Sequence, residues 1–120
     1  MSRALSLAEE RVNTTHIISA TGELDSFTSP ELSHSIGKAI EAGQTDLLLD
    51  LNQVTFLDST GLGVLLNALR RLARAGGRLR LVCDVPAVLR VFQTTRLDRD
   101  FAIFPTRDHA LGHWGEMAAG

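Results

Sequence analysis

The run Asp46-Leu47-Leu48-Leu49-Asp50-Leu51 leads on to Asp58-Ser59-Thr60-Gly61-Leu62-Gly63, which opens a stretch with helical spacing. The first run is apolar without a helical period, as in a short strand covered on both faces. Asp58 and Ser59 are residue types that cap helix N-termini, because a side-chain oxygen accepts a hydrogen bond from an otherwise unpaired amide of the first turn. Beyond them Leu62, Leu65, Leu66, Leu69, Leu72 and Ala73 fall on one side of a helical wheel and are expected to face the core. Strand, cap and helix in that order form one unit of an α/β domain. Ser59 is expected to be a cap and also a candidate phosphate carrier, since free amides and the positive end of the helix dipole converge there.

Opposite the core stripe fall Thr60, Val64, Asn67 and Arg71, with Gly63, Arg70 and Arg74 on the adjoining flank. An exposed Val64 among small residues and bordered by arginines reads as a docking surface. Gly61 and Gly63 each cost a helix interior about 1 kcal/mol relative to Ala, so something must approach closely. Packing against the sheet suits Gly61 better; for Gly63, packing and the approach of a partner weigh equally.

Outward from this centre, Ala4–Ala8 and Thr14–Thr21 read as an antiparallel strand pair with a turn over the polar Glu9 to Asn13. Gly22-Glu23-Leu24-Asp25 breaks the second strand, and Pro30, after several capping oxygens, opens a helix to about Ala42. Gly76-Gly77 ends the central helix, Arg78 to Cys83 alternates as a strand, and Pro86 starts a helix that stops near Thr94. Phe101–Phe104 makes a last short strand. A final helix opened by Thr106 and Asp108 would bury Ala110, Leu111 and Trp114, with Met117–Gly120 frayed. The order β-β-α-β-α-β-α-β-α predicts a single α/β domain over residues 1–120, with a core from about 5 to 111 and a tail at 113–120. Its sheet is mixed, mostly parallel and four- to five-stranded, with about four helices packed on it.

The chain has 120 residues, a formal charge of -2 and one cysteine, Cys83. Nothing in that balance calls for nucleic acid or an anionic membrane, and no apolar run approaches the roughly 20 residues of a membrane span. No export signal is recognisable, and the lone cysteine fits a reducing compartment, so the expected location is the cytoplasm. Catalysis is not expected. Ser59 lies outside any Gly-x-Ser-x-Gly elbow, none of His16, His34, His109 and His113 has a spacing tied to it, and no Gly-Lys-Ser/Thr follows the glycines. His109 and His113, at i and i+4, are read as solvent-exposed side chains rather than metal ligands. No cofactor is expected.

Gly22-Glu23-Leu24-Asp25, Phe56-Leu57-Asp58-Ser59-Thr60-Gly61-Leu62-Gly63, Gly76-Gly77-Arg78-Leu79-Arg80-Leu81-Val82 and Pro86-Ala87-Val88 together resemble the STAS domain. They are most similar to the anti-sigma-factor antagonists of bacterial partner switching, over about Leu5 to Leu111. The resemblance implies a non-enzymatic switch that binds, when unmodified, an anti-sigma factor that is also a serine kinase, and so frees a sigma factor. Phosphorylation of Ser59 ends that binding and a serine phosphatase restores it. Asp25 and Asp58 match positions implied in partner contact or phosphorylation. Added bulk and charge at Ser59 would disrupt a surface fitted against Ser59, Gly61, Gly63 and Val64. The switch is expected to be a monomer or weak dimer. Alternatives are a STAS adaptor subunit of an ABC lipid-transport or stress-sensing complex, without a phosphorylation cycle, and a nucleotide-binding regulatory domain. Family members commonly carry Thr-Gly-Leu where this chain has Thr95-Arg96-Leu97; if that turn keeps a left-handed backbone, Arg96 costs about 1 kcal/mol.

Overall fold

The computed structural model describes residues 4–112. Two antiparallel strands, β1 (Leu5–Val12) and β2 (Thr15–Leu24), precede helix α1 (Ser29–Glu41), strand β3 (Asp46–Leu57) and helix α2 (Ser59–Arg74). Strand β4 (Arg78–Val82), helix α3 (Pro86–Thr94), a 3-10 turn at Leu97–Arg99 and strand β5 (Ala102–Phe104) follow, and residues 107–112 are helical. The five strands lie in chain order, β1-β2-β3-β4-β5, with every pair after the first parallel. When neighbouring parallel strands are joined in order by crossovers of one hand, their helices collect on one face.

That face holds the main core. Ile18, Leu49 and Leu81 from the sheet are buried with Leu32 and Ile36 of α1, Leu65 and Leu72 of α2, and Val88 and Phe92 of α3. Phe92 meets Phe101 edge to face at 5.4 Å. The opposite face carries a smaller cluster, Ile17, Leu48, Val82, Phe104 and Ala110, beneath residues 107–112. Two arginines cross this second face. Arg80, 1% exposed, donates through Nη2 to Asp46 Oδ1 and Thr15 Oγ1 and through Nη1 to the Ala110 carbonyl, each at 2.9 Å. Arg107 donates from Nε to Asp50 Oδ2 at 2.7 Å and reaches Glu10 and Ser19 with its other nitrogens. The bonds that it donates to Asp50, foremost, and to Glu10 hold the Arg107 guanidinium above its ordinary pKa, whereas burial pushes that of Arg80 down.

Several boundaries differ from the sequence expectations. Glu9, Glu10 and Arg11 lie within β1, and the turn is only Asn13-Thr14, with Asn13 in the left-handed region at φ 55°. As an edge strand, β1 leaves these charges exposed, which an alternation rule misreads as loop. β3 runs past Leu51 to Leu57, and register shifts between Ser19 and Thr21 and between Gly22 and Glu23 keep β2 paired with it to the end. On α2 the buried stripe includes Ala68 and omits Ala73, which is exposed. Arg96 takes the left-handed conformation, φ 61° and ψ 20°. Trp114, His113 and the tail at 113–120 lie outside the described residues.

Candidate functional site

The parallel strands β2 and β3 end together, Leu24 opposite Leu57, so the next residues, Asp25 and Asp58, start neighbouring loops at the C-terminal edge of the sheet. Both aspartates cap the chain that follows. Asp58, extended at φ -107° and ψ -175°, accepts the amides of Thr60 and Gly61 on Oδ1 at 3.0 Å. Asp25 accepts those of Phe27 and Thr28 on Oδ1 at 2.9 and 3.0 Å. The cap of α2 is therefore Asp58. Ser59 is not the cap but the first helical residue, because the extended backbone that aims a carboxylate at the first-turn amides belongs to the residue before it.

Ser59 and Thr60 are exposed. A Cβ on Gly61 would stand 2.9 Å from the Leu24 carbonyl and 2.8 Å from Leu57 Cδ1, so packing explains that glycine. Nothing lies within 4 Å of the corresponding position at Gly63, which faces open space. From Ser59 the exposed stripe of α2 passes through Gly63, Asn67, Arg70 and Arg74. Val64 is half-buried against the core, and with Asn67 and Arg71 it borders Ser33 and Ile36 of α1. The expectation of an exposed Val64 is corrected here: a wheel with one core direction omits α1, on which that side of α2 also leans. The flank residue Gly63, not Val64, lies on the open stripe.

Asp25 is 3% exposed, its carboxylate turned inward under its own loop. Sequence reasoning missed Phe27, which is 76% exposed on the same loop. The available signal was an aromatic set among turn-forming residues, Asp25-Ser26 before it and Thr28-Ser29-Pro30 after it. Among the described residues no three His, Cys, Asp or Glu side chains gather as metal ligands, and no helix is long and apolar enough to cross a membrane.

The family profile of the STAS domain matches residues 7–110. An anti-sigma F factor antagonist of Paenibacillus polymyxa is 34% identical over 103 residues, which is 84% of this chain and 85% of that protein. The crystal structure of an anti-sigma factor antagonist from Mycobacterium paratuberculosis superposes with a TM-score of 0.85 at 31% identity, over 92% of this chain and 93% of that one. The Bacillus cell fate determinant SpoIIAA in its phosphorylated form superposes with a TM-score of 0.71 at 28% identity, over 90% of this chain and 98% of that one.

Proposed function

Because the chain belongs to the STAS domain family, we propose that it is an anti-sigma-factor antagonist whose docking is switched by phosphorylation of Ser59. In its unmodified form it binds an anti-sigma factor with serine kinase activity and so releases a sigma factor. The kinase phosphorylates Ser59 and ends the complex; a serine phosphatase resets it. The cycle runs in the cytoplasm, with the chain as a monomer or weak dimer, and needs no cofactor, nucleic acid or catalysis by this chain. The observation that carries this reading is the exposed Ser59 at the mouth of α2, on a fold whose relatives bear that name.

A phosphate brings about -1.5 to -2 charges and three acceptor oxygens. The nearest first-turn amides, those of Thr60 and Gly61, already bond Asp58, so the helix does not draw the new group inward. The fold stays as it was while the surface gains bulk and a dianion that must lose water to dock. Each 1.4 kcal/mol of that cost is about tenfold in affinity. Phosphorylation on Ser59, with Asp58, Thr60 and Gly63 beside it and Asn67 further along α2, changes the exposed docking stripe without touching the core.

The test is incubation with candidate anti-sigma factors and labelled ATP. Label at Ser59 that disappears in Ser59→Ala, with Ser59→Ala folded and binding as tightly as wild type and Ser59→Asp binding more weakly, is the expected result. Absence of label, with copurification of a transporter ATPase, points to the adaptor instead.

A further inference from the structure

Among the described residues the exposed large apolar side chains are Phe27 at 76% and Phe56 at 40%, and both lie at the edge that carries Ser59. Phe27 follows β2 by two positions past Asp25, and Phe56 pairs with Glu23 at the end of β3. The Phe27 loop is also fixed. Asp25 Oδ1 holds the amides of Phe27 and Thr28, the Thr28 hydroxyl donates to the Glu23 carbonyl at 2.6 Å, and the Ser29 amide donates to the Asp25 carbonyl at 2.8 Å. An aromatic side chain held out on an ordered backbone loses little freedom on docking, which is how interface anchors gain affinity. Residues 22–29 and 52–63 contain no Lys or Arg, and beside the buried Asp25 they carry the half-buried acids Glu23 and Asp58.

We infer that Phe27 is the aromatic anchor of the docking face at Ser59, held in place by the buried carboxylate of Asp25, and that it fills an apolar socket with a cationic rim on the kinase-type anti-sigma factor. This rests on the function proposed above and assigns the two residues different roles. Phe27 touches the partner. Asp25, turned inward, is a positioning residue and makes no contact of its own.

The test uses the full chain and each anti-sigma factor of the source organism, purified singly with ATP and magnesium. For a factor that labels wild-type Ser59, Phe27→Ala should bind about 30-fold more weakly, the loss that marks an interface hot spot. The kinase's KM for it should rise while kcat is kept, because Phe27 contacts no reacting atom. Phe27→Trp should restore binding, with thermal melting unchanged throughout. Asp25→Ala should weaken binding, Asp25→Asn should recover most of it, and Asp25→Ala should add nothing on the Phe27→Ala background. Binding should weaken as salt is raised. Wild-type affinity in Phe27→Ala overturns the anchor while leaving the switch at Ser59 standing; an additive loss in the double variant overturns the positioning role; salt-independent binding overturns the cationic rim. If no factor binds or labels the wild type, the proposed function falls and this inference with it.

Discussion

The backbone amide of Asp58 donates to the carbonyl of Leu24 at 3.1 Å, tying the mouth of α2 to the tip of the neighbouring strand. The same carbonyl stands 2.9 Å from where a Cβ on Gly61 would be. One oxygen thus receives the cap residue and excludes any side chain three positions on, which fixes how α2 leaves the sheet.

Gly61 and Gly63 should therefore respond oppositely to alanine. Gly61→Ala pushes a methyl onto backbone and should cost about 1–3 kcal/mol, as overpacking does. Gly63→Ala meets nothing and should stabilise by up to about 1 kcal/mol through helix propensity. Urea unfolding of the two variants checks the pair, and equal destabilisation would contradict this account.

Asp58→Ala leaves the amides of Thr60 and Gly61 without their acceptor and should cost about 0.5–2 kcal/mol, the usual value of an N-cap. Ser59→Ala removes no cap and should shift the unfolding midpoint much less. If Ser59→Ala proved the more damaging, the assignment of the cap to Asp58 would be wrong.

Arg96 sits at φ 61°, a region that costs a residue with a Cβ roughly 1–2 kcal/mol. Arg96→Gly should stabilise the chain by about 1 kcal/mol after the greater flexibility of glycine in the unfolded state is subtracted. Differential scanning calorimetry would show a higher melting temperature for Arg96→Gly, and a lower one would sink the prediction.

Burial holds the Cys83 thiol above its ordinary value of 9.0. A raised pKa means that the folded chain favours the protonated thiol, so its contribution is complete below pH 9.0 and is lost as pH rises through the higher folded value. The chain has no tyrosine to obscure that region. The midpoint of urea unfolding should decline above pH 9.0 in wild type and decline less in Cys83→Ala, and the thiol should react with a disulfide reagent only after unfolding.

The start of α2 was legible because capping is local: Asp58, Ser59 and the spacing of Leu62, Leu65 and Leu72 fall within one stretch of chain. The mostly parallel sheet followed from the alternation of strands and helices along the chain. What stayed hidden depended on contacts distant in sequence. Nothing near Glu9 announces that β1 is an edge strand in which a charged side chain is at ease. Val64 looks exposed until α1 is placed beside it, and Asp25 looks available until its loop folds over its carboxylate. Phe27 is the reverse case, an aromatic that a composition rule would send inward and that the Asx turn at Asp25 holds out. The Arg96 turn was anticipated as a departure, and the left-handed backbone survives there although the glycine does not.

Strands laid down in chain order place the segments 25–29 and 58–64 side by side at one tip of the sheet, while Ile18, Leu49 and Leu81 lie beneath. Under the proposed function, substitutions confined to those two segments would change which partner docks and leave the frame alone, so partner choice and folding can vary independently.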